Sequence, residues 1–240
     1  MYKTETHLHV SEVSRCSRIA ASEMMKLYHE SGYKTVFITD HFSAGYFETL
    51  GDIPWQEKTT IFLSGYYKAK VAGEKLGMNV LPAAEFSFSG KPNDYLAYGI
   101  NKEFLDLYPN LYEMDIKDFV EVAKKYNVLI IQAHPYRDGI CFPTPDFVDG
   151  LEVYNSNPRH EDENERAEAL AKEHNLYVTF GSDAHRLEDV AGCAVLSENE
   201  IKTVDDFITL VKFGQAKRHI NKKEKEFERK CWQKNGTNLN

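Results

Sequence analysis

The stretch KTVFITDH, residues 34–41, is a short apolar β-rich run that stops on two residues able to hold a cation, Asp40 and His41. The same design recurs along the chain. NVLPAAEF (79–86) brings Glu85, NVLIIQAHPYR (127–137) brings His134 and Arg137, and LYVTFGSDAHR (176–186) brings Asp183, His185 and Arg186. Near the start, ETHLHV (5–10) sets His7 and His9 two residues apart. Residues i and i+2 of an extended strand point to the same face, so both can reach one ion. Similar β-rich runs stand at 2–8, 95–100, 150–154 and 192–196. One-sided apolar stripes of helical period lie between them: Ala20, Met24, Leu27 and Tyr28; Phe119, Val122, Ala123 and Tyr126; Ala167, Leu170 and Ala171; Val204, Phe207, Ile208 and Val211. This alternation predicts an α/β chain built on a mainly parallel sheet or barrel. In a β/α barrel the C-terminal rim gathers residues from different strands, and that is where active sites assemble.

Composition bounds the alternatives. At 240 residues and 42% hydrophobic, the chain can bury one sizeable core. Its 29 basic and 37 acidic residues leave a net charge of −8, which gives no support to wrapping nucleic acid by charge alone. Cys16, Cys141, Cys193 and Cys231 form no C-x-x-C pair, so neither a zinc ribbon nor a disulfide scaffold is suggested. With no run of about 18 apolar residues and no apolar leader, the chain reads as soluble and cytoplasmic, without a membrane partner. No linker or repeat interrupts residues 1–213, which are drawn as one domain. A basic helix or tail is expected over 214–240, where 217–234 carry eight basic residues against three glutamates. That segment is either a solvated terminus or a patch for an anionic partner.

Five strand ends carrying Asp, Glu or His point to metal, because burying so many ionisable groups without a cation is expensive. Five rim histidines with Glu85 and Asp183 exceed what one tetrahedral ion needs, whereas a bridging carboxylate such as Glu85 serves two ions. Mixed imidazole and carboxylate ligands suit zinc, manganese or iron. His29, His160, His174 and His219 fall on helical or tail segments and are expected at the surface.

In this order, ETHLHV, FITDH, AAEFSF, QAHPYR and GSDAH resemble the PHP (polymerase and histidinol phosphatase) family of metal-dependent phosphoesterases, over roughly residues 1–213. The resemblance implies a distorted (β/α)7 TIM-like barrel with two or three divalent ions at its mouth. Carried over, it assigns His7, His9, Glu85 and Asp183 to a first ion, Glu85 and His134 to a second, and His41 and His185 to a third. Two places depart from the family pattern. Asp94, in DYLAYG (94–99), stands where many relatives have histidine, so the second site is expected to favour a harder ion or to bind less tightly. The segment SEVSRCS (11–17) lacks the family's further ligand to the third ion, leaving Glu12 as nearest candidate and Arg15 as a possible substrate contact.

The function implied is hydrolysis of phosphate esters by a metal-activated hydroxide, with a phosphomonoester of a small metabolite or nucleotide as the partner. Arg137 and Arg186 are placed to grip phosphate oxygens, and His185 stands beside them at the reacting centre. Asp40 and Asn155 are further substrate candidates, Asn155 and Glu152 being read equally as rim support for the ligands. Three rivals remain: a nuclease-like phosphodiesterase, which should show a basic track; an amidohydrolase-type barrel, which usually relies on a bridging lysine; and a non-catalytic, metal-binding interaction module. The aromatic, Gly- and Pro-containing segments 42–60 and 135–149 are candidate specificity loops or, equally, ordinary barrel connections.

Overall fold

The computed structural model describes residues 1–221. In chain order its strands are β1 (Tyr2–Glu5), β2 (Thr35–Ile38), β3 (His41–Ser43), β4 (Asn79–Ser87), β5 (Asp94–Tyr98), β6 (Leu129–Gln132), β7 (Gly150–Asn155), β8 (Tyr177–Gly181), β9 (Cys193–Ser197) and β10 (Lys217–Ile220). The helices are α1 (Ala21–Glu30), α2 (Ala44–Glu48), α3 (Trp55–Phe62), α4 (Ser64–Lys75), α5 (Lys102–Leu107), α6 (Ile116–Ala123), α7 (Asn164–Glu173) and α8 (Val204–Lys212). The sheet runs β10-β9-β1-β2-β4-β5-β6-β7-β8, with β3 continuing the line of β2 beside β4.

The sheet curls until its far strand meets its near one. Just past the ends of β1 and β8, Leu8 and Ala184 form a parallel bridge. The Asp183 amide donates to the His7 carbonyl at 2.8 Å and the His9 amide to the Ala184 carbonyl at 3.2 Å. Seven strands therefore close a barrel, β1, β2, β4, β5, β6, β7 and β8. It is distorted because β5 runs antiparallel to both neighbours. Strands β9 and β10 extend the sheet beyond β1, also antiparallel.

Fully buried strands such as TVFI of β2 and LIIQ of β6 read as continuous apolar runs because both faces are covered. Helix α8 begins at a reciprocal cap, with Thr203 accepting from the Asp206 amide and Asp206 accepting from the Thr203 amide. It buries Phe207, Ile208, Leu210 and Val211, and Phe207 packs on Phe37 and Tyr98 inside the barrel.

Segment 42–60 carries α2 and α3, with Phe47 completely buried. One expectation needs correction. The basic segment expected as helix or tail contributes a strand over Lys217–Ile220, whose edge position leaves Lys217 and Arg218 exposed while the backbone pairs with β9. Residues 222–240 of that segment lie outside the described residues.

Candidate metal centre

The residues singled out at strand ends meet at one mouth of the barrel. His7 and His9 follow β1, His41 opens β3, Glu85 lies in β4, Asp94 opens β5, His134 follows β6, and Asp183 and His185 follow β8. Four overlapping groups place one ligand atom per residue within 4.8 Å of one another: His9, His41 and His185; His7, His9 and Glu85; His7, His134 and Asp183; Glu85, Asp94 and His134. Glu85 is the hub. Its Oε1 approaches His134 Nε2 at 3.0 Å and His7 Nε2 at 3.3 Å, while its Oε2 faces His41 Nδ1 at 3.0 Å and His9 Nε2 at 3.3 Å. Asp183 Oδ1 adds His7, His9 and His185 at 3.2–3.4 Å.

The backbone is bent to bring these groups in. His134 and Asp183 adopt positive φ, +28° and +50°, a conformation that non-glycine residues take only where surrounding contacts enforce it. Asn157 holds the Asp183 carbonyl at 3.0 Å, and the His134 amide donates to Glu152 at 3.2 Å. Gly181 is required beside them. A Cβ there would collide with Glu152 Oε1 and His7 Cβ, closing the space in which those two side chains meet.

Three histidines are aimed through one ring nitrogen. His7 Nδ1 donates to Glu152 at 2.9 Å, His9 Nδ1 to Ser14 Oγ at 3.2 Å, and His185 Nδ1 to the Asp183 carbonyl at 2.8 Å, the tautomer in each case following from the partner. Each Nε2 is left for an ion. His7 Nε2 and His9 Nε2 are buried and make no hydrogen bond, so the donor set fits divalent cations that would satisfy them.

Protons do part of that work in the chain alone. Burial opposes charge on His7, yet Glu152, Asp183 and Glu85 hold its pKa well above the ordinary histidine value. Burial opposes charge on His41 too, and Glu85 overrides it. For His134, burial and Arg137 oppose charge, but Cys141 and Glu85 push the pKa up to about 10. Burial of Glu85 and Asp183 is likewise outweighed, with His7 foremost in holding both well below the carboxylate range. His185 differs: burial and the neighbouring His9 push it down to about 3, leaving a neutral imidazole.

The remaining sequence candidates divide. The Arg137 guanidinium enters the mouth, with Nη1 2.7 Å from Asp183 Oδ2 and Nε donating to Asp162 Oδ1 at 2.7 Å. Arg186, beside His185, is half-buried with its Nε unpartnered. Arg15 is exposed. Asp40 and Asn155, expected at the substrate, lie underneath as supports. Asp40 accepts from the Val10 amide and from Ser14 Oγ, which carries His9, and Asn155 Nδ2 donates to Glu152. Glu12 is no ligand in this arrangement, because its Oε2 accepts from the Ala21 amide at the start of α1. His29, His160 and His174 are exposed and His219 is half-buried.

Glu5 was not legible as part of the site. Its Oε1 accepts from the amides of Thr6, His7 and Ser182, and its Oε2 from the Tyr28 hydroxyl. Burial pushes its pKa up to about 7 against those bonds. Its spacing, two residues before His7 on the same face, was the available signal. Asp189 is a second support: it receives the His185 and Arg186 amides and Arg159. A separate cavity of about 560 Å³ beside α8, lined by Glu198, Glu200, Asp206 and Thr209, contains none of these residues.

Comparison with known proteins bears on the fold. Residues 161–216 match the PHP-associated family model. A two-domain protein from Bacteroides vulgatus containing a predicted PHP-like metal-dependent phosphoesterase superposes with a TM-score of 0.68 at 16% identity, over 92% of this chain and 65% of that one. The chain has the PHP fold. Two other neighbours by structure are a lesion-specific endonuclease from Pyrococcus furiosus (TM-score 0.61, 15% identity, 91% of this chain and 57% of that one) and an amidohydrolase from Chromobacterium violaceum with bound sulfate and no metal (0.57, 15%, 86% and 95%). No curated protein matches by sequence. The mouth described above is thus the C-terminal mouth of a PHP-type barrel.

Proposed function

We propose that this chain is a metal-dependent phosphoesterase whose substrate is a small phosphomonoester. The observation that carries the reading is the pairing, at one mouth, of buried imidazole nitrogens that lack partners with the Arg137 guanidinium, 2.7 Å from Asp183 Oδ2. Divalent ions held by His7, His9, His41, Glu85, Asp94, His134, Asp183 and His185 would acidify a water and neutralise phosphoryl oxygens. The chain's own residues do the rest. Glu152 fixes the His7 ring, and Ser14 on Asp40 fixes His9. Arg137, held by Asp162, sets Asp183 and keeps a buried Nη2 without a partner, and Arg186, next to His185, would offer its guanidinium to a phosphate oxygen. His185, neutral at physiological pH, keeps an imidazole lone pair available.

The likeness to an endonuclease favours one second reading, a phosphodiesterase acting on nucleic acid. The acidic balance of −8 speaks for the monoester. The test is to strip the protein, reload it with zinc, manganese or iron, and assay aryl and nucleoside monophosphates beside phosphodiesters. Monoester hydrolysis should appear only after loading and disappear in His7→Ala and Asp183→Ala. Turnover that survives both substitutions in stripped protein would sink the proposal, and turnover of diesters alone would select the second reading.

A further inference from the structure

The side chains of the mouth differ in exposure. Those of His7, His9, Glu85, His134 and Asp183 are 0–2% exposed and that of His185 is 9% exposed, whereas the His41 side chain is 30% exposed. The mouth is therefore open at its His41 corner. Two groups without partners stand there. Arg15, on the connection after β1, is exposed, and its guanidinium makes no hydrogen bond or ion pair among the described residues. That connection is fixed against the ligands at both sides of Arg15: the Cys16 thiol lies within hydrogen-bonding reach of the His41 ring, the Ser14 hydroxyl donates to Asp40 at 2.6 Å, and the Arg18 amide donates to the His185 carbonyl at 2.8 Å. Tyr46, in α2, is the second group. Its ring packs on Phe47 and Phe62 at 5.1 and 5.8 Å, and its hydroxyl, within electrostatic reach of Asp40 and Arg15, has no hydrogen-bond partner among the described residues. Burial, helped by Asp40 and opposed by Arg15, pushes that hydroxyl up to about 12, so it keeps its proton and can donate. Asp40 itself is 2% exposed, so the charge met at this corner is that of Arg15.

The kind of cation used at this end of the barrel points the same way. Arg15, Arg18, Arg137, Arg159 and Arg186 stand on the connections that leave strand ends at the mouth, where Lys91 is the one lysine; elsewhere among residues 1–221 only Arg166 and Arg218 are arginine. A planar guanidinium matches two oxygens of a phosphate or carboxylate, which a lysine does not. Arg137 and Arg159 are engaged by Asp162, Asp183 and Asp189, and Arg186 serves the reacting phosphate in the proposed chemistry, so Arg15 is surplus to that phosphate.

We propose that Arg15 and Tyr46 form a second anion subsite at the His41 corner, so that the substrate is a small phosphomonoester bearing a further oxyanionic group, carboxylate or phosphate, on the part released as alcohol. This names the substrate class of the proposed phosphoesterase and rests on that reading. Arg15 closes its fork on the second group, and the Tyr46 hydroxyl donates to it.

The experiment uses metal-loaded full-length protein and three series of probes of graded chain length: plain alkyl phosphates, ω-carboxyalkyl phosphates and alkanediol bisphosphates. Phosphate release gives kcat and KM, and calorimetry gives binding. Wild-type protein should prefer one of the two doubly anionic series over the plain one by roughly 10–100-fold, chiefly in KM, and the preferred series tells carboxylate from phosphate. Arg15→Ala should reduce that preference to near unity, and Arg15→Lys, which keeps the charge without the fork, should retain part of it. Tyr46→Phe, which keeps the ring packing, should lower it by roughly tenfold. Equal use of all three series, or a preference unmoved by both Arg15→Ala and Tyr46→Phe, overturns the subsite and leaves the phosphoesterase reading intact. Preferential binding that Arg15→Ala removes, with no hydrolysis of any probe, defeats the phosphoesterase reading and leaves the subsite standing.

Discussion

Neighbouring residues of β3 face two different interiors. His41 joins the histidine and carboxylate mouth, while Phe42 enters an aromatic cluster with Phe47, Trp55, Phe62, Phe86 and Tyr112 at centroid distances of 4.5–6.2 Å. Both regions are largely buried, but only one is complete in the chain alone. The aromatic rings satisfy one another through dispersion and edge-to-face contacts, and the Trp55 indole N–H has its acceptor in the Leu105 carbonyl at 2.7 Å. The mouth holds itself together with protons on His7, His41 and His134, yet it leaves ring nitrogens bare. A buried apolar cluster is an end state, whereas a buried ionisable cluster of this kind is half of a complex.

Acid should separate the two regions most strongly. Ions entering the mouth must expel the protons on His7, His41 and His134, so metal affinity falls as pH drops, by about tenfold per pH unit for each proton released. For the metal-free fold the sign reverses. A raised histidine pKa stabilises fully below the unfolded value, 6.5, and the contribution from His134 is lost as pH climbs through about 10. Metal titrations followed by proton release across about pH 6 to 9 check the slope, and an affinity independent of pH would contradict the proton-filled mouth. Next in size, Phe47→Ala should cost about 3–5 kcal/mol of stability while leaving metal stoichiometry of the folded fraction unchanged. Denaturant melts with elemental analysis read both, and lost metal at retained fold would show that the regions are coupled. Smaller again, Glu152→Gln removes the carboxylate that aims His7 and should weaken metal binding by roughly 10–100-fold with little change in the melt. Competition with a chelator measures it, and an unchanged affinity would mean that Glu152 only fills space.

How much of this was legible depended on how local each signal was. Eight of the strands stood out because apolar β-rich runs mark them directly, and the ligands stood out because they end those runs. Three-residue β3 carries too little pattern beyond His41 to register. Helix α4 hides because its small residues are chosen for contact: a Cβ at Gly65 would press on Asp40 and Val10, and one at Gly73 on Val80. Strand β10 reads as solvated because Lys217 and Arg218 are charged, and only pairing with β9 makes them a strand. Among the supports, Glu5 is signalled by its spacing two residues before His7, whereas the Asp189 partner Arg159 lies 30 residues away, where no spacing reveals it.

The seam between residues 7–9 and 183–185 also sets an order of events. Those segments close the barrel and supply four of the ligands, and they are joined by contacts such as the Asp183 amide donating to the His7 carbonyl, between residues 176 apart. Contacts of that range carry the greatest loop-closure cost and belong to the slow end of folding. During synthesis His7 and His9 are exposed long before Asp183 and His185 are made, so early metal meets an open histidine pair with weak hold. The full ligand set exists only once the last seam is drawn, and metal occupancy therefore reports the completion of the fold.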